Sequence, residues 1–304
     1  MTESVHLGSV AVVDQDGRLV ASLGDPRRAT FARSSMKPLQ AAVSLTLAAE
    51  DLTEEQVAVM SASHNGEPVH LDAVSAILDR AGLGWDALRT PPDLPLDEEA
   101  ARAVAGPRPE LHNCSGKHAG MLLACVRRGY DIDGYQRPDH PLQESVLQSV
   151  RELAGEPEAV GVDGCGVPVH ALSLISLAGL YAGLTAGRVD GAHRAVRAMR
   201  AKPYLVAGRG RVCTAVMERF PGVIVKVGAE GLICAAAVER RLGIAIKIED
   251  GSVRPLAPAI LRVLRLLGLL EAEPQEELEE FAHPVVLGGG HPVGELRADF
   301  ELAS

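Results

Sequence analysis

Ser34 and Lys37 stand three residues apart in Arg33-Ser34-Ser35-Met36-Lys37-Pro38, where the apolar pattern turns from alternating to helical. On a helix this spacing puts both side chains on one face, so Oγ and Nζ can meet. A hydroxyl attacks an acyl carbon only after losing its proton, and a lysine removes it when burial or a nearby cation depresses its pKa. Arg33 is such a cation, and the start of a helix adds positive potential and N–H groups for an oxyanion. Taken alone, the same residues also read as an N-cap serine beside a surface charge.

Two further stretches narrow the choice. Lys226-Val227-Gly228 closes an apolar, β-branched run, and Lys-x-Gly on a strand with Ser-x-x-Lys on a helix repeats two signatures of serine β-lactamases and penicillin-binding proteins. Gly228 would let a substrate lie close to the strand; an edge-strand lysine beside a turn glycine is the plainer alternative. The third signature, Ser-x-Asn, has a literal counterpart in Ser63-His64-Asn65, within the polar loop Ser61-Ala62-Ser63-His64-Asn65-Gly66-Glu67. So polar a loop after an apolar run faces a ligand or caps a turn.

His112-Asn113-Cys114-Ser115-Gly116-Lys117-His118 is chemically the densest run. It is not a phosphate loop: Leu111 stands where the first glycine belongs, and His118 replaces the Ser/Thr that would bind magnesium. Cys114 and Cys165, the latter in Val162-Asp163-Gly164-Cys165-Gly166-Val167-Pro168, offer two thiolates to zinc or two small side chains to the core. Of 30 basic residues only five are lysines: Lys37, Lys117, Lys202, Lys226 and Lys247. Lysine, unlike arginine, can become neutral and act as base or ligand.

The elements that must position these groups are legible in outline. Val5 to Val13, the Asp16-Gly17 turn and Arg18 to Leu23 predict a β-hairpin. Met36, Leu39, Ala42, Val43 and Leu47 predict a helix from Ser34. The middle, to about residue 220, reads mainly as helices separated by Pro- and Gly-rich loops, with Ala171 to Gly187 as a buried helix too short and polar to span a membrane. Gly222 to Val227, Gly231 to Glu239 and Gly243 to Glu249 predict a three-stranded meander, Leu256 to Leu270 a helix, and Glu271 to Glu280 an acidic surface stretch. The expected fold class is α+β, with a five-stranded antiparallel sheet built from both chain ends and a helical lobe between. Residues 1–33 plus 222–304 form one lobe and 34–221 the other, in a single catalytic unit.

The 304-residue chain is 47% hydrophobic and 23% charged, ordinary for a globular protein. Its formal net charge of −10 comes with no basic run, which excludes a nucleic-acid partner. Met1 to His6 lacks the charged and apolar regions of a secretory signal, and five cysteines are an odd number for a disulfide framework. The expected location is the cytoplasm, with no membrane partner.

Together these motifs, with Lys226-Val227-Gly228-Ala229-Glu230-Gly231 and Val293-Gly294-Glu295, resemble the Rhizobium-type L-asparaginase family along nearly the whole chain. The resemblance implies the serine β-lactamase-like fold, a homodimer, and L-asparagine as substrate. It implies two Ser-Lys pairs, on Ser34 with Lys37 and on Ser63 with Lys226, either serine being the nucleophile. It further implies zinc held by Cys114, Lys117 and Cys165, with Asp163 close by and Arg33 and His118 behind. His64, Asn65, Glu67 and Gly228 complete the expected pocket. Two thiolates would leave zinc a weak Lewis acid, so it would position the substrate's α-amino and α-carboxylate groups rather than activate water. A glutaminase or penicillin-type amidase could use the same apparatus; a non-catalytic small-molecule sensor would have no need of two Ser-Lys pairs. Gly208-Arg209-Gly210-Arg211 is bulkier and more basic than the family leads one to expect.

Overall fold

The computed structural model of the chain describes residues 1–270 and 276–303. Strands β1 (Gly8–Val13) and β2 (Leu19–Leu23) form the expected hairpin, its turn held by Asp14 Oδ1 accepting from the N–H groups of Asp16 and Arg18 at 2.9 Å each. Strand β3 (Ala29–Phe31) follows, then a 3₁₀ turn over Arg33–Met36 that runs into the helix Lys37–Ala48.

Two strands lie in the middle of the chain, where mainly helices were expected. They are β4 (Ala159–Val162) and β5 (Pro168–Ser173), and with β3 they make a three-stranded sheet in the order β3-β5-β4. The predicted helix from Ala171 therefore begins three residues late, at Leu174, and runs to Thr185. Continuous apolar runs carry no period to tell strand from helix. The boundary signal is Ser173, whose Oγ accepts from Ser176 N–H at 3.1 Å as an N-cap.

The C-terminal meander consists of β6 (Val223–Gly228), β7 (Leu232–Ala237) and β8 (Leu242–Ile248). With the N-terminal hairpin these give an antiparallel sheet in the order β2-β1-β8-β7-β6, with Val10 opposite Ile246 and Lys226 opposite Cys234. The fold is therefore α+β, with the Ser34–Lys37 segment after a hairpin and Lys226–Gly228 ending an edge strand of the same sheet, the arrangement anticipated. All six residues of β7 are buried, which requires cover on both faces. Helix Leu174–Thr185 packs along β1, β7 and β8, and helix Leu256–Leu266 also packs on β7 and β8. Lys37–Ala48 packs on Ser115–Arg128, which in turn packs on Pro68–Ala81.

A second hairpin, β9 (Val285–Gly288) with β10 (His291–Glu295), was not anticipated. Its turn places Gly289 and Gly290 at φ +58° and +83°, the paired left-handed conformation that Gly-Gly supplies. The acidic stretch Glu271 to Glu280 falls partly outside the described residues; from Glu276 it is helical. No helix among the described residues is long and apolar enough to cross a membrane.

Candidate active site

Lys37, Ser63 and Lys226 come from three distant segments and meet in the interior, where they are 1%, 7% and 1% exposed. Lys37 begins the helix Lys37–Ala48. Ser63 follows the helix Glu54–Met60 in a loop stitched by backbone bonds: Ser63 N–H to Val206 O at 3.1 Å, His64 N–H to Asn113 O at 3.2 Å and Asn65 N–H to Ala207 O at 2.8 Å. Lys226 comes from edge strand β6. Ser63 Oγ lies 2.9 Å from Lys37 Nζ and 2.7 Å from Lys226 Nζ. Lys37 Nζ also donates to Asn113 O at 3.3 Å, and Lys226 Nζ to Val227 O at 2.7 Å.

Burial, and then the charge of Lys37, pushes the Lys226 amine down to about 7. Lys37 is lowered too, chiefly by burial. An interior with two closely spaced amines does not keep both charged. With Lys226 neutral, Ser63 can accept from Lys37 and give its own proton to Lys226.

Ser34 does not meet Lys37 through its hydroxyl. It is half-buried in the 3₁₀ turn, and its Oγ makes no hydrogen bond among the described residues; Lys37 instead reaches Ser63. The neighbouring Ser35 is structural: its Oγ donates to Lys226 O at 3.3 Å and its carbonyl accepts from Tyr181 O–H at 2.8 Å. Gly228 leaves room there, because a Cβ would stand 3.0 Å from Ser35 Oγ.

Cys114, Lys117 and Cys165 form a second cluster. Lys117 Nζ is 2.9 Å from Cys165 Sγ. A hydrogen bond with Cys165 holds the Cys114 thiol well below its ordinary pKa, against burial and with help from the charges of Lys37 and Lys117. Burial works to lower the Lys117 pKa, but Cys165 and Cys114 outweigh it and the group is raised. No group of three His, Cys, Asp or Glu side chains among the described residues is placed to hold a metal. The candidate donor set is instead two sulfurs, a ligand type that suits zinc, and the Lys117 amine, which could join them only by giving up the proton that the neighbouring sulfurs favour.

Arg33 Nε donates to Asp163 Oδ1 at 2.7 Å, and Asp163 Oδ2 stands 4.0 Å from Cys165 Sγ. His118 lies behind the cluster, its pKa brought to about 4 by burial and then by the charge of Lys117. Asn113 joins the two clusters: its Oδ1 is 3.5 Å from Lys37 Nζ and 3.3 Å from Cys114 Sγ.

His64, Asn65 and Glu67 hold the Ser63 loop. Gly66 N–H donates to His64 Nδ1 at 3.2 Å, so its Nε2 carries the proton and meets Ser115 Oγ at 3.0 Å. Asn65 Nδ2 donates to Glu67 Oε1 at 3.1 Å and to Arg209 O at 3.0 Å, and Arg211 donates to Asn65 Oδ1 at 2.8 Å. Tyr204 O–H donates to Glu67 Oε2 at 2.5 Å. Gly208, at φ +117°, is wedged here, and a Cβ would overlap Glu67 Oε1 and stand 2.7 Å from Asn65 Nδ2. The basic loop thus lies on an acidic patch, with Arg209 paired to Glu99 at 2.7 Å and Asp97 at 3.4 Å. It also walls a cavity of about 560 Å³ lined by Tyr204, Arg211, Thr214 and Phe281 among others.

Asn113, Tyr135, Tyr204 and Arg211 have no place in the sequence-based site. The available signal was scarcity: the chain has four tyrosines, and a buried tyrosine hydroxyl needs a polar partner.

The structure thus places one buried hydroxyl between two lysine amines, beside a helix start and an edge strand, and the family match makes the class of protein an amidohydrolase. The L-asparaginase II family matches residues 1–298, and the chain belongs to that family. Among curated proteins none matches. Among solved structures, a β-lactamase from Mycobacterium bovis is similar with a TM-score of 0.46 and 17% identity, covering 86% of this chain and 95% of that one. A Bacillus glutaminase is similar with a TM-score of 0.46 and 13% identity, covering 86% and 91%. Neither likeness bears on the substrate.

Proposed function

We propose that the protein is an L-asparaginase, hydrolysing L-asparagine to L-aspartate and ammonia through an acyl-enzyme. The observation that carries this reading is Ser63 Oγ held between Lys37 Nζ at 2.9 Å and Lys226 Nζ at 2.7 Å. In the first step Lys37 passes a proton through Ser63 to the neutral Lys226 and, left neutral itself, takes the Ser34 proton as the Ser34 oxygen bonds to the carboxamide carbon, whose carbonyl electrons move onto its oxygen. The contacts Lys37–Ser63–Lys226 then carry a proton toward the departing amide nitrogen, which leaves as ammonia. In the second step water bonds to the acyl carbon, gives up a proton along the same path, and Ser34 is released as its hydroxyl.

Ser34 is assigned the attack because its hydroxyl is uncommitted and more accessible, whereas Ser63 is enclosed with both amines on it. Cys114, Lys117 and Cys165 would hold zinc, and the bound ion supplies a positive anchor for the α-amino and α-carboxylate groups. The same reading has the enzyme working as a cytoplasmic homodimer, for which cell fractionation and sedimentation are the tests.

Ammonia release from asparagine and glutamine, measured side by side, tests the substrate. Release from asparagine supports the proposal; release from glutamine alone reassigns the enzyme as a glutaminase. Release from neither leaves a penicillin-type amidase or a sensor. Peptide mapping of a trapped acyl-enzyme tests the nucleophile, and an adduct on Ser63 reverses the two serine roles.

A further inference from the structure

Tyr135 is completely buried, and its hydroxyl has two neighbours. It accepts from the Arg89 backbone N–H at 3.1 Å and lies 2.7 Å from His118 Nδ1. The hydroxyl proton has no other acceptor among the described residues. Were His118 protonated on Nδ1, that buried hydroxyl proton would be left without a partner, a costly state for a buried polar group. The network closes when Tyr135 donates to Nδ1, and the imidazole then carries its proton on Nε2.

That nitrogen is buried and makes no hydrogen bond among the described residues, so the ring is held from its Nδ1 side, one residue from Lys117. The residue after Tyr135 grips Cys165 from the backbone side. Gln136 Nε2 donates to Cys165 O at 2.8 Å and to Arg89 O at 3.2 Å, and Gln143 Nε2 donates to Tyr135 O at 2.8 Å. The Arg89, Tyr135 and Gln143 segments are thereby fastened to the backbone at Cys165.

We infer that Tyr135 is a positioning residue for the Cys114, Lys117 and Cys165 cluster: it fixes His118, the neighbour of Lys117, as the Nε2–H tautomer, while Gln136, the next residue, holds the Cys165 carbonyl. The inference rests on reading the cluster as a zinc centre that positions substrate, but the tautomer itself does not depend on metal.

The test is ¹⁵N NMR of histidine-labelled protein together with zinc titration against a chromophoric chelator. In the wild type, His118 should show Nε2 protonated and Nδ1 as an acceptor; a protonated Nδ1 overturns the inference without any variant. In Tyr135→Phe the single tautomer should be lost and zinc affinity should fall about 10–100-fold, the scale for a broken outer partner. A purely structural tyrosine would lower the melting temperature and leave both readouts unmoved, which would also overturn it. If Tyr135→Phe does not fold, the wild-type spectrum decides. If the wild type binds no zinc, the metal reading fails, and the tautomer in wild type and variant still decides the role of Tyr135.

Discussion

Arg33 Nε donates to Asp163 Oδ1 at 2.7 Å, joining the residue before Ser34 to the residue two before Cys165. The Arg33 backbone sits at φ +46°, a left-handed conformation that costs an L-residue roughly 1–2 kcal/mol. Surrounding contacts must over-determine such a residue for it to persist. The ion pair is one of them, and it sets where Ser34 stands relative to the cysteine cluster.

Arg33→Ala and Asp163→Ala should therefore each lower kcat/KM, by about tenfold for one charge-assisted hydrogen bond of about 1.5 kcal/mol. The double variant should be little worse than either single one. Kinetics on all four proteins close the cycle, and strictly additive losses would show that the two residues do not act as a unit.

Ser34→Ala and Ser63→Ala should each reduce kcat by orders of magnitude, and the double variant should add little, as for groups that work together. Lys37→Arg keeps a charge but cannot give up a proton, so it should be nearly as inactive as Lys37→Ala. Near-normal turnover of Lys37→Arg would mean that the site uses the charge of Lys37 and not its basicity.

Acidity gives a third check. A lysine brought to about 7 is protonated below that pH and neutral above it, so the base form, and with it kcat/KM, should rise as pH passes through about 7. Burial depresses Lys226 most, but Lys37 and Arg211 contribute by charge. Arg211→Gln should thus move the rising limb to higher pH. A limb that stays in place or moves down in Arg211→Gln contradicts the assignment to Lys226.

The loop at Gly208 offers a test by stability. Gly208→Ala must fit a side chain at φ +117° against Glu67 and Asn65, with strain on the order of 1–3 kcal/mol. The melting temperature should fall, and activity should fall further than stability because Asn65 lies two residues from Ser63. A variant with unchanged melting and turnover would show that the Ser63 loop does not lean on Gly208.

The two hairpin strands and the C-terminal meander were legible because their β-branched runs are bounded by turn residues, and the five motifs lie where two-residue and three-residue spacings place them. What escaped the sequence is the pairing across long separations. Spacing brings Lys37 to Ser34, but the fold brings it to Ser63, 26 residues on, because backbone bonds to Asn113 and Val206 seat that loop against the helix start. Strands β4 and β5 were missed because neither is flanked by a change in apolar period. Tyr135 lies outside the motifs, and Arg211 lies in the basic Gly208–Arg211 run, in segments whose partners only the assembled chain identifies.

The scarcity of lysine has a practical side. Of the five, Lys37, Lys117, Lys226 and Lys247 are buried, and Lys202 alone is appreciably open, with 39% of its side chain exposed beside Glu55. Amine-directed reagents should therefore attach to the folded protein at Lys202 and at the N-terminal amine. A dye or a resin linked under mild conditions would then leave the buried amines of the reaction centre unmodified. The same scarcity makes a lysine-labelled sample a nearly empty spectrum, in which three of five side-chain signals come from the site.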